Sequence, residues 1–346
     1  MARWLAERPG RYSGTVADQE SFRIEIPGVL SRFGLGPATS VAPVAGGSLN
    51  WNYRVTTPEG AWFLRRYRDN LPTARIAGEH ELIAWAAARG VPAPVPVPSL
   101  EHDTIDEQGE ARWAVFPWVS GAVQARGTLT APHARALGEA HGRLQAVLAM
   151  HPPSRDAQPE TRWDRERSRA HMRVLIEAAA RRGEEAWVLD GLALQAGLLD
   201  EWQVMPAASF DDLPCQLLHG DFHDQQVLWD GECVAAVVDW EIWHMDPRAW
   251  ELIRALAYSR VLDSPLLADY LAGYREHVRL TERECRLGLR LWWQLRVLGL
   301  WAWSAYLLEG NDRVKAFLPS TVADLERAAS KVRRETLEER FVAAAL

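Results

Sequence analysis

Leu217-Leu218-His219-Gly220-Asp221-Phe222-His223-Asp224-Gln225-Gln226-Val227-Leu228-Trp229, followed downstream by Val237-Val238-Asp239-Trp240, carries more information than any other part of this chain. An apolar strand delivers a His-Gly-Asp turn, a carboxamide follows in the same loop, and a second apolar strand delivers another Asp. Phosphoryl transfer needs these parts: a carboxylate to orient an attacking hydroxyl and accept its proton, and oxygen ligands to hold Mg²⁺ on nucleotide phosphates. Between the strands lies Asp230-Gly231, a pair that favours φ > 0 and a tight hairpin. Both Asp-bearing loops then open at one end of a small hairpin, which places Asp221, Gln226 and Asp239 near one another without any long-range assumption.

At these residues the chain resembles the aminoglycoside phosphotransferase and choline kinase family, whose protein-kinase-like fold carries a His-Gly-Asp-x4-Asn catalytic loop and a metal-binding Asp on the next strand. The resemblance implies that Asp221 is the catalytic base, that Gln226 stands where the family has a metal-ligating Asn, and that Asp239 is the second metal ligand. A Gln carbonyl offers the same oxygen on a stem one methylene longer, so ligation survives a small backbone adjustment. Maltokinase-like members of the family also carry Gln there. Asp246-Pro247-Arg248-Ala249-Trp250-Glu251-Leu252 is similar to the family's Asp-Pro-x-x-aromatic-Asp/Glu-Leu segment, to which a structural role is assigned.

Upstream, Gly46-Gly47-Ser48-Leu49-Asn50-Trp51-Asn52-Tyr53-Arg54-Val55 lies between two strand-like runs. Paired glycines let backbone amides approach phosphate oxygens, although a plain hairpin turn uses them equally well. The whole string is similar to the family's Gly-Gly-x-x-Asn-x-x-Tyr-x-Val segment, which implies a nucleotide-binding role for Gly46, Gly47, Ser48 and Asn50. The phosphate-binding Lys expected on the third strand is absent, since the only lysines are Lys315 and Lys331, and Arg65 occupies its place. Arg binds phosphate through a planar fork and needs more room, and small-molecule kinases of the family with Arg here are known. Its expected helix partner is Glu79, with Glu81 second. The lysine shortage also excludes a Walker A loop, and no Gly-x-Gly-x-x-Gly follows a strand.

At 346 residues and 48% hydrophobic content the chain has room for two lobes, each with its own core. A formal net charge of -7 argues against binding nucleic acid or an anionic membrane, while leaving cationic substrates compatible. Cys215, Cys233 and Cys285 lack Cys-x-x-Cys spacing and are expected to be buried free thiols in a reducing cytosol. The N-terminus has no apolar stretch long enough for a signal peptide, so a cytoplasmic protein is expected. Leu287 to Leu308 is apolar, but Arg290, Gln294 and Arg296 interrupt it, and it is expected to be a buried helix rather than a membrane span. Most of the 17 Trp are expected in the core.

In chain order, residues 1–26 are expected to be a loosely packed extension and Pro27 to Phe33 a short helix. Strands are expected at Ser40 to Ala45, Trp51 to Thr57, Ala61 to Tyr67 and Trp113 to Val119, with a helix from Ile76 to Arg89. Val91-Pro92-Ala93-Pro94-Val95-Pro96-Val97-Pro98 must be extended, because each Pro pushes its predecessor out of the α region. From Thr130 the periodicity turns helical, with Leu137, His141, Leu144 and Leu148 on one face, a polar loop over 152–161, and helices near 163–182 and 185–203.

The expected architecture is α+β and two-lobed: a nucleotide-binding lobe of small antiparallel sheet over residues 27–119 and a larger, mainly helical lobe over 120–346. The resemblance implies a kinase that moves the γ-phosphate of ATP or GTP, with Mg²⁺, to a hydroxyl of a sugar, amino sugar, amino alcohol or antibiotic. Two alternatives remain. One is a nucleotide-binding pseudokinase in which Arg65 and Gln226 mark lost catalysis, and the other is a metallohydrolase built on His219, Asp221, His223 and Asp224, with His244 as a further ligand.

Overall fold

A computed structural model of the protein describes residues 22–44, 50–152 and 164–346. A 3-10 turn, Phe22–Glu25, leads into helix α1, Ile26–Arg32. Strands β1 (Ser40–Pro43), β2 (Trp51–Thr57) and β3 (Gly60–Tyr67), helix α2 (Thr73–Ala87), and strands β4 (Asp106–Gln108) and β5 (Ala111–Pro117) follow. The five strands form one sheet in the order β1-β2-β3-β5-β4, and all its pairings are antiparallel.

Strand alternation sends successive side chains of this sheet into different cores. Leu64, Trp113 and Val115 pack outward with Ile26, Val29 and Leu30 of α1. Tyr67, Ala114 and Phe116 face inward and join Ile76 and Ile83 of α2 in the large core shared with the helical part of the chain. Arg65, next to Leu64 and paired in register with Ala114, therefore points to the inner side.

Helices α3 (Ala131–Leu148), α4 (Arg165–Arg182) and α5 (Ala186–Glu201) precede strand β6 (Cys215–Leu218) and the hairpin β7 (Val227–Asp230) with β8 (Cys233–Val237). Strand β9 (His244–Pro247) then opens the run α6 (Arg248–Tyr258), α7 (Leu267–Tyr274), α8 (Glu282–Leu298), α9 (Trp301–Leu307), α10 (Leu318–Ala329) and α11 (Lys331–Ala345). On α3, Leu137, His141, Leu144 and Leu148 are all buried, as their spacing predicts. The segment beyond β5 is tied to the hairpin, with the Ala122 and Trp229 backbones exchanging hydrogen bonds of 3.0 and 2.9 Å. The extended proline segment docks on β8, its Pro92 carbonyl accepting from the Val237 N–H at 2.7 Å.

Several expectations are corrected. Within 22–26, Phe22, Glu25 and Ile26 are packed while Ile24 is exposed: Phe22 lies edge-on to Trp51 at 4.9 Å, Glu25 accepts from Trp113 Nε1 at 2.8 Å, and Ile26 is buried. Residues 1–21 and 153–163 lie outside the described residues. Helix α2 begins at Thr73 and ends at Ala87, because its first turn is too polar to register in an apolar periodicity. Strands β4 and β9 are too short for a sequence pattern. The two-residue hairpin turn falls at Gly231-Glu232, since Asp230 still pairs with Cys233, and Gly231 takes the positive φ of 57°. The helix expected over Leu287 to Leu308 is two helices, broken at Gly299-Leu300. The Gln195 amide caps that break, donating to the carbonyls of Arg296, Val297 and Gly299 at 3.2, 2.9 and 3.0 Å. Of the cysteines only Cys285 is buried, and burial pushes its thiol up to about 12. Cys215 and Cys233 are exposed because each begins a short strand next to a surface turn. Among the described residues seven Trp are buried, while Trp301 is exposed.

Candidate active site

Strand β6 ends at Leu218 and delivers His219, whose ring organises the loop. Its Nε2 donates to the Val238 carbonyl at 3.0 Å, while Nδ1 accepts from the Asp221 N–H at 3.2 Å. One nitrogen donates and the other accepts, so the imidazole is neutral, and burial accordingly lowers its pKa. Gly220 adopts φ 87°, and a Cβ there would lie 2.2 Å from the Ile242 carbonyl oxygen, so no other residue fits.

Beneath the loop, the fully buried Glu251 of α6 accepts from the Gly220 N–H through Oε1 at 2.6 Å. Its Oε2 accepts from Gln145 Nε2 at 3.0 Å and lies 3.3 Å from His141 Nε2. Burial alone would push this carboxyl up; the hydrogen bonds from His141 and Gln145 overcome that and bring it down to about 2. The Asp-Pro segment of the sequence is thus the underside of the catalytic loop, and β9 pairs it directly to β6, with Gln216 opposite Asp246.

Asp221 emerges from this frame with both carboxylate oxygens engaged. Arg254 Nη2 donates to Oδ1, and Gln226 Nε2 donates to Oδ2 at 3.1 Å. His223 Nε2 lies 3.6 Å from Oδ1. Desolvation opposes ionisation of Asp221, but Arg254 and His223 outweigh it and hold the carboxyl below its ordinary range. The Gln226 amide is committed through its nitrogen, and its Oε1 makes no hydrogen bond to the described residues.

Asp239 follows β8 at φ 66°, a conformation unusual for a residue with a side chain. Its Oδ1 lies 3.4 Å from Arg65 Nη2, and a third of the side chain is exposed. Arg65 also places Nη1 3.6 Å from Glu79 Oε1, and its Nε donates to Asn52 Oδ1 at 3.2 Å. Burial works against the Arg65 charge, yet Asp239, Tyr67 and Glu79 together raise its pKa and keep it cationic. Burial pushes the Glu79 carboxyl up to about 8, because Arg65 offsets desolvation only in part. Glu81 is exposed and lies by His151 instead.

Gly46, Gly47 and Ser48 lie outside the described residues. Asn50 is described, and its side chain is turned toward protein: Nδ2 donates to Glu241 Oε2 at 2.5 Å, and Oδ1 accepts from the Arg68 N–H at 3.1 Å. Arg68 Nη2 pairs with the other oxygen of Glu241. Helix α2 adds Arg75, which donates to the Glu241 and Trp243 carbonyls and lies 4.1 Å over the Trp243 ring. The sheet and α2 thus grip residues 241–243 just beyond Asp239. Neither Glu241 nor Arg68 belongs to a sequence motif. Arg254 had a signal, since it stands one turn after Glu251 on the same helix.

The metallohydrolase alternative does not fit. Both nitrogens of His219 are committed to the loop. Among the described residues the one group of three metal-ligating side chains is Glu139, Glu276 and His277, partly or fully exposed and apart from the catalytic loop. The donors beside Asp221 that do fit a metal are the Gln226 carbonyl and the Asp239 carboxylate, hard oxygens suited to Mg²⁺.

Residues 40–287 match the sequence profile of the phosphotransferase enzyme family, and the chain belongs to that family. It is similar to the homoserine kinase of Afipia carboxidovorans, 27% identical over 219 residues that make up 62% of each chain. It is 26% identical to the homoserine kinase of a Chelativorans species over 269 residues, 76% of this chain and 79% of that one. Among solved structures, an amicoumacin kinase in complex with AMP-PNP, Ca²⁺ and Ami superposes with a TM-score of 0.64 at 13% identity, covering 90% of this chain and 95% of the other. The fold is therefore the two-lobed kinase-like one that the catalytic loop implied, and the protein is a phosphotransferase acting on a hydroxyl acceptor. Among the described residues no helix is long and apolar enough to cross a membrane.

Proposed function

We propose that this phosphotransferase moves the γ-phosphate of ATP or GTP to a hydroxyl of a small molecule in the cytoplasm, with Asp221 as base. The observation that carries this reading is that His219 ties the Asp221 backbone to the Val238 carbonyl next to Asp239, with Gln226 on the Asp221 carboxylate and Arg65 of β3 at 3.4 Å from Asp239. Asp221 is held ionised by Arg254, so it can accept a hydrogen bond from the acceptor and orient its oxygen toward the γ-phosphorus. As the new P–O bond forms and the bond to the nucleoside diphosphate breaks, the hydroxyl proton passes to Asp221. A low pKa suits this order, because the loose transition state keeps the proton on the acceptor until late.

Arg65 would clamp phosphate oxygens, and its contacts with Glu79 and Asn52 support this by fixing its fork. Gly46, Gly47 and Ser48, with Asn50 anchoring the end of their segment, would cover the nucleotide. Gln226 and Asp239 would hold Mg²⁺, which when bound neutralises charge on the phosphates. The relatives named homoserine kinases make an amino-acid alcohol the first acceptor to try, ahead of sugars, amino sugars, amino alcohols and antibiotics.

Label transfer from γ-³²P-ATP and γ-³²P-GTP to such a panel tests the reading. Mg²⁺-dependent transfer is expected, falling by about 10² or more in Asp221→Asn with nucleotide affinity little changed. Turnover within about threefold of wild type in that variant would remove Asp221 from the mechanism.

A further inference from the structure

Helix α6 grips the catalytic loop at more than one point. Glu251 takes the Gly220 N–H at 2.6 Å, Arg254 donates to the Asp221 carboxylate, and Ser259, just past the helix end, accepts from the Asp224 N–H at 3.0 Å. Residues spaced by three or four share a helix face, so one face of α6 holds the loop backbone and the Asp221 side chain together. The Arg254 guanidinium is buried, 6% exposed. It lies 4.4 Å over the Tyr258 ring and 5.9 Å from that of Trp250, so neighbours at i+4 and i−4 fix its rotamer. Its Nη1 is buried and has no hydrogen-bond partner among the described residues. A buried donor left unmade costs free energy that a Met or Leu of similar volume would not. Packing therefore does not explain an arginine here, whereas Asp221 does.

We propose that Arg254 is a positioning residue for phosphoryl transfer. By holding Oδ1 it sets the plane of the Asp221 carboxylate, while Gln226 holds Oδ2 at 3.1 Å from the other side, leaving the remaining lone pair of Oδ2 for the acceptor hydroxyl. The terminal torsion of an aspartate is broad and turns freely unless tethered, and losing the tether lowers the fraction of Asp221 aligned for reaction. The proposal rests on the assignment of Asp221 as base.

A double-mutant cycle on the full chain tests it, using ATP and Mg²⁺ with L-homoserine as acceptor or, if that is not turned over, water in basal ATP hydrolysis. Arg254→Met is expected to lower kcat by about 10²-fold with KM for ATP within about twofold. Arg254→Lys, which keeps charge and a donor but loses the planar fork, should fall between. Combined with Asp221→Asn, Arg254→Met should add almost nothing, because it acts through the group already removed. The idea is overturned by kcat within about threefold of wild type in Arg254→Met, or by full additivity in the double variant. Should Arg254→Met fail to fold by circular dichroism, Arg254→Lys decides, and wild-type kcat there overturns it. An active Asp221→Asn would sink the base assignment itself, whereas an inactive Asp221→Asn beside an active Arg254→Met would sink only the role of Arg254.

Discussion

Arg65 on β3 and Asp239 beyond β8 approach to 3.4 Å between Nη2 and Oδ1, so a cation of the sheet and a carboxylate next to the β7–β8 hairpin meet directly. The same guanidinium lies 3.6 Å from Glu79. In the proposed reading, a phosphate entering this place would exchange the Asp239 carboxylate for its own oxygens, while Glu79 would continue to hold the fork.

Arg65→Ala is therefore expected to weaken ATP binding by ~1–3 kcal/mol, the range of a charge-assisted contact. Isothermal titration calorimetry measures it directly. Unchanged affinity would mean that the sheet binds phosphate through backbone amides alone.

Asp239→Ala should remove the Mg²⁺ dependence of nucleotide binding, whereas Gln226→Asn should keep activity because the carbonyl ligand survives on a shorter stem. Titration of Mg²⁺ into the nucleotide-bound variants reads this out. Wild-type Mg²⁺ affinity in Asp239→Ala would exclude that carboxylate as a ligand.

Glu251 sets an acid limit on stability. Its carboxyl is brought down to about 2 in the folded chain from an ordinary 4.5. The stability it contributes is complete above about pH 4.5 and is lost as pH falls toward about 2, at most about 3 kcal/mol. Thermal midpoints of wild type should fall across that window. Glu251→Gln should start lower at neutral pH and fall less steeply over the same range. Parallel curves for the two proteins would rule out this origin of acid sensitivity.

Gly78 is where α2 meets the segment beyond Asp239: a Cβ there would lie 2.4 Å from the Trp243 ring. Trp243 is buried and held by Arg75 on its face and through its Nε1, so it has little room to yield. Despite the better helix propensity of Ala, Gly78→Ala should destabilise by about 1–3 kcal/mol in urea unfolding. A neutral or stabilising result would show that α2 and Trp243 are not tightly packed.

The candidate catalytic loop was readable because its pattern is local. His219 to Gln226 lie in one loop between two short strands, and the following hairpin returns the chain to Asp239, so a few residue types at fixed spacing define both strands and turn. The inward aim of Arg65 was equally local, since strand parity places it opposite to Leu64. Asn50 shows where such reasoning stops. Its motif implied nucleotide contact, yet its amide is engaged by Glu241, which is 191 residues away in sequence.

By itself, then, the sequence determined the longer strands and helices, the hairpin, and the candidate acidic and carboxamide groups for phosphoryl transfer, because periodicity and turn chemistry act over a few residues. Only the tertiary structure decided which buried charges neutralise which. The pairing of Arg254 with Asp221, of Arg68 with Glu241, and the seating of Gly220 on Glu251 join segments far apart in the chain. Such partners are selected by desolvation: a charge or amide removed from water must find its counterpart wherever the packed chain brings one within reach.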